Sequence, residues 1–219
     1  MSSSRRVGYL FALWVGVATL LTGPLALINP LFIGWLQDRQ DVADKLRITP
    51  EELNRVNGAI VRDIFTDGPF DVTWSTGEVV LEGDEVSHMH DVSRLVRILV
   101  VVDAVALGFA AWGGRLLRRD PKRLGQMLIL GSGGMGALVL GLGLFAAVAW
   151  STAFTLFHQV FFPPGTWSFP PDSTLIQLYP PEFWFEAAMT AAVVVLATAA
   201  LLSAAGWNRI READAPPRT

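Results

Sequence analysis

The sequence predicts an all-α membrane protein: a four-helix transmembrane bundle with a small α+β extracytoplasmic domain between spans one and two. Composition is the first observation, since 52% of the 219 residues are hydrophobic. The mean hydropathy of +0.42 is too high for an ordinary soluble domain. The hydrophobic residues also collect in four long runs, and most of the acidic residues lie between the first run and the second.

Each run is long enough to cross a bilayer, and in lipid an unbroken run of this length satisfies its backbone as a helix. The predicted spans are residues 7–28, 94–117, 124–150 and 183–205. The first run follows Arg5 and Arg6 and could therefore be a secretory signal. However, it has full spanning length and continues past Asn29-Pro30 into further apolar residues, so we expect a retained span.

Basic residues set the expected orientation, because lysine and arginine accumulate on the cytoplasmic side. Segments 1–6, 118–123 and 206–219 hold the clusters Arg5, Arg6, Arg118, Arg119, Lys122, Arg123, Arg209, Arg211 and Arg218. Segment 29–93 has five basic against thirteen acidic residues, and segment 151–182 has no lysine or arginine. We therefore expect both termini in the cytoplasm and segments 29–93 and 151–182 outside the plasma membrane.

The first extracytoplasmic segment has the signals of a folded domain. Thr49-Pro50-Glu51-Glu52 is typical of a capping box with proline at the first helical position. Apolar residues then recur at helical spacing, at Leu53, Val56, Ile60, Val61 and Ile64. Residues 70–81 alternate around Ser75-Thr76-Gly77, which predicts a short β-hairpin.

Two features lie inside the spans. Gly131-Ser132-Gly133-Gly134-Met135-Gly136 matches the dinucleotide-binding fingerprint, but that fingerprint needs a preceding strand. In a membrane helix, small residues normally permit close helix contact, which is the interpretation we favour. Asp103 is an intramembrane carboxylate, for which a functional role and a helix-packing hydrogen bond are equally expected.

The residues that could carry out chemistry, the three histidines above all, are predicted to lie on the extracytoplasmic side. The chain has no cysteine, which excludes disulfides, thiolate metal sites and a cysteine nucleophile. His88 and His90 precede span two, and His158 follows span three. Because a short turn joins these spans, they should be antiparallel neighbours, with His158 close to segment 87–91. A pair of histidines beside a reacting carbonyl could act as base and acid.

Other interpretations of these residues remain open. Exterior histidines can simply hydrogen-bond to headgroups or backbone. His88, His90, Asp91 and His158 also offer enough ligands for a metal, although residues two apart on a helix do not share a face. Ser87 is a poor nucleophile candidate, because adjacency to His88 gives unfavourable geometry for proton transfer.

The segment after span three is rich in aromatic residues, which the interfacial belt explains in part. The belt does not explain a polar series within it, formed by His158, Trp167, Asp172 and Thr174. Such a segment could form a rim where an acyl chain enters and an ester carbonyl is fixed. Asp172 or Asp91 could orient an imidazole; alternatively, Asp172 only forms a turn or cap.

These two histidine-containing segments resemble a known family. The first half of the match reads Glu85-x-Ser87-His88-Met89-x-Asp91-Val92. The second half reads Phe157-His158-x-x-Phe161-Phe162, followed by Trp167, Asp172-x-Thr174-Leu175-Ile176 and Tyr179-Pro180. Together with the four spans and the large first exterior loop, they resemble the bacterial lipoprotein intramolecular transacylase family, Lit.

The resemblance implies an activity and a site. Lit-like enzymes move the acyl chain from the sn-2 position of a lipoprotein's diacylglyceryl-cysteine to the α-amino group of that cysteine, giving the lyso-form lipoprotein. The family histidines correspond to His88 and His158, and His90 lies outside the pattern. Asp91 is expected to orient one histidine. The expected substrate-binding residues are Phe161, Phe162, Trp167, Asp172 and Thr174. Tyr179 stands where phenylalanine is expected.

The implied partners are a diacylated lipoprotein and membrane lipid; neither a cofactor nor nucleic acid is expected, and the sequence leaves the oligomeric state open. Acyl transfer within one molecule gains from proximity and needs no enzyme nucleophile. The alternatives are a membrane metalloenzyme or lipid hydrolase using the same histidines, and a non-enzymatic receptor or assembly subunit. A transporter is disfavoured because the spans hold few charges.

Overall fold

The computed structural model describes residues 3–216, and side chains from residue 5 onward. The predicted cytoplasmic ends extend further, so Arg218 lies outside the described residues. The described chain is almost entirely helical. Its elements are α1 Ser3–Leu27, α2 Pro30–Asp38, α3 Val42–Leu46, α4 Pro50–Thr66, α5 Gly83–Leu117, α6 Pro121–Leu128, a π-helical segment Ile129–Gly133, α7 Gly134–Val148, α8 Trp150–Phe161, α9 Thr174–Leu178 and α10 Pro181–Asp214.

Four helices among these residues are long and apolar enough to cross a membrane. They are Arg5–Leu27, Gly83–Leu117, Pro121–Val148 and Pro181–Asp214. The third combines α6, the π-helical segment and α7. The protein is therefore a multi-pass membrane protein, and its helical fold class is confirmed. Two of the helices are longer than the predicted spans, since α5 begins at Gly83 and α10 continues to Asp214.

The chain divides into two compact units. The first contains the N-terminal residues through Pro24, Val100–Leu144, and the chain from Ala191 onward. In this unit glycines let helix backbones touch: a Cβ on Gly131 would collide with the carbonyl of Ala12, and a Cβ on Gly125 with the carbonyl of Gly206. The glycine-rich run thus lies in a helix and serves close helix packing.

Polar side chains in the first unit pair with one another. Thr22 Oγ1 donates to Asp103 Oδ1 at 2.8 Å, and Asp103 is 8% exposed. The hydroxyls of Ser132 and Ser203 lie 3.0 Å apart. Such bonds hold helices together where lipid offers no alternative partner. Of the two interpretations of Asp103, this contact favours helix packing.

The second unit contains Leu25–Leu99 and Phe145–Thr190 and has a conventional apolar core. The predicted stripe of α4 faces inward, with Val56 fully buried and Leu53 2% exposed. Other fully buried side chains come from outside α4, at Leu36, Val42 and Leu178. The predicted cap of α4 is present, since the N–H of Glu52 donates to Thr49 Oγ1 at 3.2 Å. The Glu52 carboxylate, however, binds Arg55 and the Ser75 N–H rather than the cap.

The predicted α+β character of this domain is wrong. Over the described residues, the hairpin segment 70–81 gives one isolated antiparallel bridge, Thr73 to Val79. A turn at the expected place is present, with Gly77 at φ +92°, but no strands extend from it. Val80 and Leu81 are consecutive and both buried, which the alternation of a strand facing one core does not allow. The second arm therefore bends inward and leads directly into α5.

A buried polar network crosses this core. Gln37 Nε2 donates to the carbonyl of Leu178 at 2.8 Å, and Asn57 Nδ2 donates to Gln37 Oε1. The Tyr179 hydroxyl donates to Asn57 Oδ1 at 3.1 Å. Gln37 and Asn57 are fully buried, so their amides need these bonds. The network connects α2 and α4 to the end of α9.

Candidate active site

The candidate site is a cluster of two histidines and several aromatic rings in the second unit. His88 lies near the start of α5 and is 7% exposed. Its ring stacks with that of His158, with centroids 6.2 Å apart and an interplanar angle of 27°. Phe162 approaches His88 edge-on at 4.9 Å, and Phe169 lies at 5.6 Å. Helix α5 thus contributes one imidazole of the pair, and helix α8 contributes the other.

His158 lies in the last turn of α8 and is oriented by its own helix. Its Nδ1 lies 2.8 Å from the carbonyl oxygen of Phe154, and the rings of these residues lie 4.1 Å apart. A carbonyl only accepts, so the proton is on Nδ1 and the lone pair of the neutral ring is on Nε2. Burial disfavours the charged imidazolium and lowers the pKa of His158. The neutral form of His158 is therefore favoured at neutral pH.

Two polar atoms of the cluster lack partners. Within residues 3–216, His88 Nδ1 and Trp167 Nε1 are buried without a hydrogen-bond partner. The Trp167 ring lies 4.9 Å from His158, tilted by 37°. Buried polar atoms are normally paired, and those that are not call for an explanation such as a functional role. The other buried side-chain atoms without a partner in the described chain are the two amide atoms of Gln40.

Glu85 fixes the position of the cluster. It is 3% exposed, and its two oxygens accept different backbone N–H groups, from Glu82 at 2.8 Å and from Leu175 at 2.8 Å. The first bond caps α5 and the second holds the first turn of α9. One carboxylate therefore joins the helix of His88 to the segment that follows Trp167. In the sequence, Glu85 stands out only as part of the family pattern, although its place in the first turn of α5 is typical of a capping glutamate.

The other predicted site residues lie at different depths. Phe162 is 6% exposed, and Phe161 is 48% exposed with its ring 4.9 Å from that of Phe157. Asp91 is half-buried and, in the part of the chain that is described, forms no hydrogen bond to either histidine. Asp172 is exposed, and its carbonyl accepts from Gln177.

Thr174 is half-buried and begins α9, directly after the N-cap Ser173. Ser87, the poor nucleophile candidate, is exposed. Two aromatic neighbours were not among the predicted site residues: Phe154, whose ring is tilted against that of His158, and Phe169, which lies near His88. Neither has a sequence signal that separates it from the other aromatic residues of an interfacial belt.

His90 points elsewhere, toward Asp67 at 3.8 Å and the ring of Phe70 at 5.2 Å. Positions two apart on a helix face different directions, which separates His90 from His88. Among residues 3–216, no three histidine, aspartate or glutamate side chains lie close enough to hold a metal ion.

Comparison with known proteins gives matches in sequence and in structure. The model of the family "Lipoprotein intramolecular transacylase Lit" matches residues 9–184. An uncharacterized protein of Aquifex aeolicus (strain VF5) is 33% identical over 110 residues, which are 50% of this chain and 49% of that protein. The match to this curated relative thus spans about half of its length.

Among solved structures, that of membrane-integral Lit from Bacillus cereus has a TM-score of 0.84 at 19% identity, covering 96% of this chain and 97% of that chain. A variant of the B. cereus protein with one histidine changed to arginine gives a TM-score of 0.77, at 19% identity over 96% of this chain and 93% of that one. These structures show a shared membrane-integral fold. Because the family match covers most of the sequence, the chain belongs to the Lit family of lipoprotein intramolecular transacylases, which are acyltransferases.

Proposed function

We propose that this chain moves the sn-2 acyl chain of a lipoprotein's diacylglyceryl-cysteine to the α-amino group of the same cysteine. The product is the lyso-form lipoprotein. The observation that carries the proposal is the stacked pair His88 and His158 inside an aromatic cluster. Membership of the Lit family supports the reaction class. Acyl transfer from ester to amine needs proton transfer at one carbonyl, which paired imidazoles provide.

His158 is the base in this proposal. Its Nδ1–H is engaged by the Phe154 carbonyl, so Nε2 accepts the proton of the attacking amine. The lowered pKa of His158 keeps this nitrogen unprotonated near neutral pH. The nitrogen–carbon bond forms while the carbonyl electrons move to oxygen.

The proton balance closes within the histidine pair. The pair starts neutral, holds one additional proton in the tetrahedral intermediate, and returns that proton to the glycerol oxygen as the carbon–oxygen bond breaks. His88 lies beside the protonated ring and shares the role of acid. The amine and the ester belong to one molecule, so no enzyme nucleophile is needed.

The surrounding side chains bind the substrate in this scheme. Phe162 and Trp167 enclose the reacting carbonyl beside the histidines, and the half-exposed Phe161 contacts the acyl chain. Asp91 acts on His88 through charge rather than through a direct hydrogen bond. Thr174 and Asp172 belong to the turn that begins α9 and shape the rim of the site.

The site faces the extracytoplasmic side of the plasma membrane, with both termini in the cytoplasm. The distribution of lysine and arginine supports this orientation. Diacylated lipoproteins carry their lipid in the membrane, so a site at the bilayer surface meets both the ester and the amine. The partners are therefore a diacylated lipoprotein and the surrounding lipid.

The test is expression in a bacterial strain that otherwise makes only diacyl lipoproteins, followed by mass spectrometry of the lipoprotein N-terminus. The unmodified chain is expected to produce lyso-form lipoprotein, and His88→Ala and His158→Ala are expected to abolish it. His90→Ala is the matched control, since His90 faces Asp67 and Phe70. Unchanged lyso-form in the His88 and His158 variants contradicts the assignment.

One modified substrate distinguishes a transacylase from a lipid hydrolase that uses the same residues. A synthetic diacylglyceryl-cysteine peptide with an acetylated amine cannot accept the acyl chain. A transacylase therefore leaves it intact, whereas a hydrolase releases free fatty acid from it.

A further inference from the structure

The unpaired indole nitrogen of Trp167 marks a binding position for one substrate atom. In the described chain, Nε1 of Trp167 is buried and donates to no protein group. An indole N–H is only a donor, so the atom that satisfies it must be an acceptor. Such an orphaned donor is costly in the empty protein, and a substrate acceptor would relieve that cost.

The position of the Trp167 ring indicates which substrate atom accepts its N–H. The Trp167 ring lies 4.9 Å from the ring of His158, whose Nδ1 is already engaged by Phe154. A group that presents its amine proton to His158 Nε2 therefore brings its reacting carbonyl next to the indole. In an ester-to-amine transfer, the carbonyl oxygen is the acceptor whose negative charge grows toward the transition state.

The segment that carries Trp167 is fixed before substrate arrives. Thr166 Oγ1 donates to the carbonyl of Pro163 at 3.0 Å, and Thr166 N–H donates to the same oxygen at 3.3 Å. Gly165 closes this turn at φ +84°, a left-handed conformation that favours glycine. A donor held in place in this way stabilises developing charge without reorganising during the reaction.

We propose that the Nε1–H of Trp167 donates to the carbonyl oxygen of the sn-2 ester and stabilises the oxyanion of the tetrahedral intermediate. This rests on the proposed transacylase function and adds a catalytic residue to it. As the amine nitrogen bonds to the carbonyl carbon, the π electron pair moves to the oxygen that Trp167 holds. When the glycerol oxygen leaves, the pair returns to form the amide carbonyl, and the proton passes from the histidine pair to the departing oxygen.

The sharpest test replaces Trp167 with β-(3-benzothienyl)alanine, which keeps the bicyclic shape and lacks the N–H. The same replacement at Trp184, which is 42% exposed, is the matched control. With a synthetic diacylglyceryl-cysteine peptide, we expect kcat to fall by about 10²–10³ at position 167 with little change in KM, the size found on removing one oxyanion donor. The Trp184 replacement is expected to leave kcat unchanged.

Trp167→Phe is a second variant, expected to reproduce the loss of kcat with a retained thermal midpoint. If the benzothienyl protein keeps the kcat of the natural chain, the oxyanion role is wrong while the transacylase proposal stands. A rise in KM at constant kcat also overturns it, because it assigns Trp167 to binding of the ground state. If the natural chain gives no acyl transfer at all, the proposed function fails and this inference with it.

Discussion

Two buried polar clusters in the same unit differ in how completely their atoms are paired. In the network of Gln37, Asn57 and Tyr179, every side chain has a partner, and the Leu178 carbonyl takes part. In the cluster of His88, His158 and Trp167, two of the polar atoms in the described structure have none. The paired cluster is complete within the protein, whereas we propose that the substrate completes the unpaired one.

The same comparison extends to charge. Burial raises the pKa of the Tyr179 phenol and thereby keeps it neutral as a donor to Asn57. Burial lowers the pKa of His158 and thereby keeps it neutral as a base. The same physical cause favours a structural bond in one cluster and, in the proposed mechanism, a neutral base in the other. Substitutions should therefore separate stability from activity.

The largest expected effect is on activity. His158→Ala should lower the rate of acyl transfer by about 10²–10⁴, the range for loss of a general base. Its midpoint of thermal unfolding should stay close to that of the natural chain, because His158 is half-buried and its one hydrogen bond among the described residues is within its own helix. Rate assays and thermal unfolding in detergent check both. His90→Ala should be neutral in rate, and a large fall in the midpoint of His158→Ala would remove the distinction.

Asn57→Leu should show the opposite pattern. It leaves Gln37 Oε1 and the Tyr179 hydroxyl unpaired in the core, each at a cost of about 1–3 kcal/mol. Thermal unfolding should occur at a clearly lower temperature, while the rate per folded molecule is retained. Asn54→Leu, on the exposed face of the same helix, is the control. An unaltered midpoint for Asn57→Leu would show that the paired network contributes nothing.

The titration of His158 should sharpen the charge comparison. Because burial lowers the pKa of His158, the active neutral form persists below the ordinary histidine value of about 6.5. The substrate's α-amino group has an ordinary pKa of about 7.7–8.0 and produces its own acidic limb in kcat/KM, so the His158 ring is followed directly. Its NMR titration in the purified protein, assigned by comparison with His158→Ala, should have a midpoint below about pH 6.5. A midpoint above about pH 6.5 would contradict the burial argument.

Tyr179→Phe should have the smallest effect. It removes one hydrogen bond, to Asn57, and keeps the ring packed against Phe183. The cost should be about 0.5–1.5 kcal/mol in the free energy of unfolding, with no change in rate. Denaturant titration of the purified protein measures it. A loss as large as that of Asn57→Leu would place the hydroxyl, rather than the amide, at the centre of the network.

The sequence predicted the features that depend on local pattern. Apolar run length predicted the four membrane-spanning helices, and the capping sequence predicted the start of α4 at Pro50. The short turn between spans two and three predicted that His88 and His158 would lie near each other. Each of these predictions depends on residues close together in the sequence, or on the one short turn that joins two spans.

The features that the sequence did not predict depend on contacts between residues that are far apart in the chain. Glu85 reaches the N–H of Leu175, and Tyr179 reaches Asn57, pairings that no local spacing contains. The hairpin prediction failed because Val80 and Leu81 both turn into the core, where tertiary packing overrides a loose alternation. The aromatic segment 151–182 begins with helix α8, which its composition did not indicate.

The bond from Glu85 to Leu175 joins residues 90 positions apart, which has a consequence for biosynthesis. Chains emerge from the ribosome N-terminus first, so His88 is made long before the N–H that anchors its helix to the aromatic segment. A nascent chain that has not yet produced residue 175 has the first imidazole but no assembled pocket. The pocket of the proposed site therefore assembles only after residue 175 has been made.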